Sequence, residues 1–286
     1  MSKILSLLAT SMSILLFTMA ATAQDWELPR TANGKPDLQG IWTNATQTPL
    51  QRPEEFAEKG FLTEEEAAAQ EASWRDRITR SGRPSDPERA PPADGNTEAG
   101  YNGFWIDRGT DAIQIDGQYR TSIIVDPANG RIPYLEGGRP ANDLRTQWRA
   151  RPGVEAYDDH ELRPLGERCL LAFGSSSGPP MLPVMYNNNY QIVQTQDHVM
   201  ILVEMVHDTR IIPLNKDINA VDMEKWMGDS LGYWEGDTLV VKTRNFHPQQ
   251  SYRGSSEQLI VTERFELIEG NKIKYGFTME DPQSYQ

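Results

Sequence analysis

The pattern that organises the chain runs from Met181 to Phe265, and its densest part is His198–Phe246. Val199–Val206 reads VMILVEMV, so Met200, Leu202, Glu204 and Val206 alternate with Val199, Ile201, Val203 and Met205. Side chains of a strand point alternately to its two faces, and here both faces are apolar. The pattern predicts a strand covered on both sides or lining a closed barrel. Thr209–Leu214 follows as the next strand, with His207-Asp208 either the link of a hairpin or part of one long strand. Leu239–Val241 leaves a corner at Gly232–Thr238, and Leu259–Leu267 and Ile273–Met279 are joined by Glu269–Lys272. Short turns between successive strands predict an antiparallel meander.

Before this region the pattern is more broken. Thr63-Glu64-Glu65-Glu66 is a capping box, and the helix it starts is expected to reach Thr79. Glu71/Arg75 and Asp76/Arg80 support that helix, while Trp74 and Ile78 give it only a thin apolar edge, so it is peripheral. Ala112–Asp116 and Tyr119–Val125 flank Gly117-Gln118, a two-residue hairpin link. Pro140 opens a short helix carrying Leu144 and Trp148, and Asp217–Met227 predicts another that packs on the sheet. Arg80–Gly100 is rich in Pro, Gly and charge and reads as a long surface connection.

Residues 1–23 change the setting. Lys3 precedes the apolar Ile4–Ala20, and Ala21-Thr22-Ala23 fits the signal cleavage rule. The expected product is periplasmic or secreted, with no stable membrane insertion after cleavage. With 41 acidic against 28 basic residues the chain carries −13 at pH 7, which argues against nucleic acid as a partner. Cys169 stands alone, either as a buried small hydrophobe or without its disulfide partner in this chain.

Ionisable groups set among apolar residues mark the candidate chemistry. Glu204 lies on an apolar face, where an Arg such as Arg168, Arg210 or Arg253 would pair it, or where burial would raise its pKa for acid–base work. His207 beside Asp208 is a candidate for proton transfer. Glu204 and His207 do not share a strand face, so no metal set is expected. Gly174-Ser175-Ser176-Ser177-Gly178 has nucleophile-elbow spacing, but Pro179-Pro180 supplies no helix start behind it, and a turn is the simpler reading. Asn187, Asn188 and Asn189 between Tyr186 and Tyr190 fit a turn or the mouth of a polar pocket.

The blocks RPLGERC, YNNNYQIVQT, EMVHDTRIIPL and WEGDTLVV resemble a family of uncharacterised exported bacterial proteins, over roughly Thr31 to the end. Gly40-Ile41-Trp42 resembles the entry of calycin-like, lipocalin-type barrels, where the Trp plugs one end, and WEGDTLVV with TERF is similar to lipocalin-like proteins. The resemblance implies a C-terminal tail with a Cys-His-Glu block beyond Gln286, and hence a β domain cut short here. It implies no mechanism and no cofactor.

The expected fold is mainly β, an antiparallel lipocalin-like barrel or strongly curved sheet with peripheral helices and long loops. After the signal, residues 24–110 form an extension with the G-x-W strand, one helix and a linker, and 111–286 form the β domain. The first expected function is binding of a small molecule in the barrel mouth, with Tyr186, Asn188, Arg210, Trp234, Arg253 and Glu257 at the ligand. The second is a secreted hydrolase or lyase using Glu204, His207 and Asp208. A third class is a structural or interaction role, and fold analogy does not choose among them.

Overall fold

The computed structural model describes residues 26–56, 58–84, 88, 90, 106–136, 144–172, 178–206, 208–214, 224–250, 252–269 and 271–286. The signal segment, most of the Pro/Gly-rich connection, the Ser175–Ser177 loop, His207 and the first part of the expected 217–227 helix lie outside them.

The described strands form open antiparallel sheets. In the first, β1 (Gly40–Thr43), β5 (Asn189–Gln194), β6 (His198–Val203) and β7 (Thr209–Pro213) lie in that order. The second is the meander β8 (Asp229–Glu235), β9 (Thr238–Arg244), β10 (Ile260–Ile268) and β11 (Lys272–Glu280). A small third sheet holds β2 (Phe61–Leu62), β4 (Gln118–Arg120) and β3 (Gln114–Ile115), in that order.

The lipocalin-like barrel is not formed. Each four-stranded ladder ends at two edge strands, and β7 meets β8 through a single parallel bridge, Leu214 to Gly232. The alternation expected of barrel strands serves equally well for two open sheets that face each other. Their inner faces share one core: Tyr190, Ile192, Ile201, Val203 and Ile212 from the first sheet, and Leu239, Val241, Phe265 and Leu267 from the second. Side chains fill the space that a lipocalin would leave for a ligand. Gly232 permits the closest approach, since a Cβ there would stand 2.7 Å from Leu214 Cδ2 and 3.1 Å from Ile212 Cγ2.

Local signals are realised more closely. α1 (Glu64–Ser81) starts on the full capping box, Thr63 accepting from the Glu66 amide at 3.2 Å and Glu66 from the Thr63 amide at 2.8 Å. It buries only Ala67, as its thin apolar edge requires. The β3–β4 turn centres on Asp116-Gly117, one residue earlier than the expected link, because both residues take the positive φ (51° and 78°) of a type I′ turn. α2 (Leu144–Arg149) is a short helix, whereas Lys225-Trp226-Met227 is a bridge and turn rather than a helix end. Cys169 is exposed with φ +54°, so it is not the buried hydrophobe considered above.

Trp42 plugs no barrel. It lies half-buried on the inner side of edge strand β1, packs against the core and donates its indole N–H to the Leu38 carbonyl at 2.9 Å. Trp42→Ala is therefore expected to cost about 2 kcal/mol, below the ~3–5 kcal/mol of a fully enclosed aromatic. A denaturant titration checks this, with the midpoint falling and the slope unchanged.

Candidate functional site

Of the residues expected to act together, Glu204 and Asp208 lie in the turn between β6 and β7, and His207 lies outside the described residues. β6 ends at Val203, and Glu204 stands exposed in the turn after it, on the half-covered face that Met200 and Leu202 share. Its carboxylate accepts from Asn189 Nδ2 at 3.0 Å. Asp208 is half-buried, and its carbonyl accepts from the Val203 amide at 2.9 Å, closing the turn. The described residues thus form no His/carboxylate cluster for a hydrolase or lyase, and none of their His, Cys, Asp and Glu side chains gather as a metal site.

The ligand residues expected at a barrel mouth are separated. Asn188 is wholly buried, accepting from the Val184 amide at 2.9 Å and donating to the Val184 and Asp107 carbonyls. Asn187, at φ +78°, accepts from the Met205 amide at 2.6 Å. The amide run is therefore turn structure, with Tyr186 half-buried beside it. Trp234 packs on the core beneath Lys35, whose ammonium lies 5.7 Å from its ring. Arg253 and Glu257 are exposed on the β9–β10 connection.

Arg210 is the exception in burial. It projects from β7 into the core and grips Glu263 of β10 with both guanidinium ends, Nη1 to Oε1 at 3.1 Å and Nη2 to Oε2. Tyr275 donates to Glu263 Oε1 at 2.8 Å and accepts from the Met181 amide at 2.9 Å. Ser230 and Thr243, 2.8 Å apart, complete the cluster. Burial would lower the Arg210 pKa, but the adjacent Glu263 charge more than offsets it and holds the guanidinium ionised. Burial, and then the Glu263 charge, pushes the Tyr275 phenol well above its usual range. Apart from Arg210 Nε, which is buried without a partner, these donors and acceptors face other residues of the chain, and the cluster joins the sheets. Glu263 gave no signal in sequence beyond the alternation of TERFEL, which places it with Val261 and Phe265.

A second cluster also escaped the sequence. Trp226 stacks on His247 at 4.0 Å between ring centres, and the Arg168 guanidinium lies 5.9 Å from the indole. His247 Nδ1 accepts from the Gln249 amide at 3.2 Å, which leaves the proton of the neutral ring on Nε2. Arg168 also donates to Gln249 Oε1 at 2.8 Å. These aromatic faces are occupied by the chain's own side chains.

What stands open is the outer face of the first sheet. Register places Ile41, Gln191, Leu202 and Thr209 in one outward row, and Val193, Met200 and Ile211 in the next. Ile41 is 77% exposed and Ile211 65%, and none of the seven is charged. Charge returns only at the margins, with Glu204 at one end and the Asp197–His198 pair, 3.1 Å apart, at the other. The second sheet presents the opposite: Glu235, Lys242, Arg264, Glu266 and Lys274 point outward, and Arg264 pairs with Glu235 at 2.7 Å. The same alternation gives one solvated face and one apolar face with a polar rim. An apolar centre without charge is the composition of an interface core.

Two outcomes test the buried cluster. Glu263→Gln should destabilise by about 3–5 kcal/mol, because it leaves the Arg210 charge buried without its partner, while Arg210→Met with Glu263→Leu should recover most of that loss. Chemical denaturation of the three variants decides it. Burial also raises the phenols of Tyr190, Tyr252 and Tyr285. The folded chain then holds protons that the unfolded chain releases near pH 10, so their contribution is complete below about pH 10 and lost as pH rises through the raised folded values. Melting temperatures measured from pH 8 to 11 should fall only at the alkaline end.

In comparisons with protein-family models, curated proteins and solved structures, nothing matched this chain.

Proposed function

We propose that this chain is an exported protein that works by protein–protein contact, pairing with a second copy of itself through the outer face of the first sheet. The signal-like composition of residues 1–23 supports export. Among the described residues no helix is long and apolar enough to cross a membrane. The observation that carries the reading is the uncharged face bearing Ile41 and Ile211 on a chain of −13 net charge.

A second copy carries the same −13, which opposes association in general and restricts contact to an uncharged face. Two such acidic surfaces repel wherever their carboxylates meet, and contact between two neutral faces avoids that cost. Shape agrees. Ile41 lies on one edge strand and Ile211 on the other, so a two-fold axis along the strands sets β1 of one copy over β7 of its partner. Each protruding isoleucine then meets the partner's apolar strip, with the sheets about 10 Å apart. Four strands and five residues cover about 300 Å², well below the ~800 Å² per partner of a standard interface. The dimer is accordingly weak and forms at high local concentration.

Sedimentation velocity over a concentration series should show a reversible monomer–dimer equilibrium. Ile211→Lys should weaken it at least about tenfold, equivalent to ~1.4 kcal/mol, with a melting temperature close to that of the parent because the site faces outward. A monomer at every concentration, or a dimer indifferent to Ile211→Lys and Ile41→Lys, would overturn the proposal.

A further inference from the structure

A cleft of about 190 Å³ lies where Thr46–Leu50 passes Leu182–Val184 and the Tyr252-Arg253 turn. Leu50, Ile123, Leu182 and Val184 give it apolar walls, and Arg253 is the one charged residue among the described residues that line it. It is separate from the outer face of the first sheet, to which none of these residues belongs.

The turn that presents Arg253 is held on three successive carbonyls. Tyr252 O accepts from the Tyr285 hydroxyl at 3.0 Å, Arg253 O from the Tyr134 hydroxyl at 3.0 Å, and Gly254 O from Ser284 Oγ at 3.1 Å. Arg253 and Gly254 both take positive φ, 53° and 84°. A long side chain rarely occupies that region, and here the surrounding bonds keep it there. The guanidinium is exposed, 5.9 Å from the Tyr252 ring, on a backbone that is already fixed. The Arg253 guanidinium shares a hydrogen bond with the Tyr252 hydroxyl, Thr46 Oγ1 donates to the Asp111 carbonyl at 2.7 Å, and Thr48 Oγ1 accepts from the Ile113 amide at 2.9 Å.

We propose that this cleft binds a small monocarboxylate with a short branched apolar body. The planar guanidinium fork matches a carboxylate, and a single cation calls for a single negative charge. The body of the acid would lie against Leu50, Ile123 and Leu182. The cleft is smaller than the roughly 300–1,000 Å³ of drug-sized sites, which restricts the occupant to a short acid. The backbone that carries Arg253 is already held by three hydrogen bonds, so the ordering needed on binding falls on the Arg253 side chain.

Isovalerate is a suitable probe, with 3-methylbutanol as its uncharged counterpart and acetate as the bare anion. Titration followed by amide chemical shifts should show saturable isovalerate binding, with shifts centred on Arg253 and Val184. Acetate should bind more weakly by about tenfold or more, and the alcohol should not saturate. Arg253→Gln should weaken isovalerate binding at least about tenfold without changing the melting temperature. Val184→Trp, which fills the cleft and keeps Arg253, should do the same. Absence of saturable isovalerate binding, equal affinity for acetate or the alcohol, or binding indifferent to both variants would overturn the proposal.

Discussion

The Arg210–Glu263 pair is the constraint on which the two-sheet arrangement depends. It joins an edge strand of one ladder, β7, to an inner strand of the other, β10, with both side chains essentially removed from water. Taking two charges out of water costs several kcal/mol each, and only good geometry with further hydrogen bonds offsets it. Glu263 takes a guanidinium fork and a tyrosine hydroxyl, and Arg210 reaches the Ser230 and Thr243 hydroxyls as well. Sliding either sheet by one residue would separate these partners inside an apolar core. The pair thus fixes the relative placement of sheets that hydrophobic contact alone would leave free to shift.

The outer faces follow from that placement. Once the inner positions of both sheets are committed to the core, the alternate positions must face outward. In the second sheet they include Glu235, Lys242, Arg264, Glu266 and Lys274, which water covers, around a buried Val240. In the first they are Ile, Leu, Val and Met among amides and hydroxyls, and water covers them at a cost. The N-terminal segment does not relieve this. It contributes β1 to the edge of the first sheet and fastens to the second through Arg30, whose guanidinium meets Asp237 with two bonds of 2.8 Å.

The sites of interest lie at the ends and outsides of the sheets because the space between them is filled. Core residues and the ion pair occupy the volume in which a lipocalin would hold its ligand. The cleft at Arg253 exists because the segments around Thr46, Leu182 and Tyr252 converge beyond the ends of the strands. Its walls belong to the smaller core around Leu182, Phe246, Tyr252, Leu259 and Val261.

Sequence alone determined what depends on near neighbours. The capping box of α1, a hairpin turn at Gly117 placed within one residue, the meander of β9, β10 and β11, and the strand character of Val199–Val203 all rest on interactions within a few residues. The alternation in β6 also assigned Glu204 correctly to the face of Met200 and Leu202. Whether that face is covered depends on elements far away in the chain, and only the tertiary structure could decide it. It left the face open, so a carboxylate expected to be buried is exposed. For the same reason Arg210, read as a residue for a ligand, proved to be committed to Glu263, 53 positions later. Closure of a barrel was equally undecidable locally, since a strand with two apolar faces has the same pattern in a barrel, in stacked open sheets, and at a surface that awaits a partner.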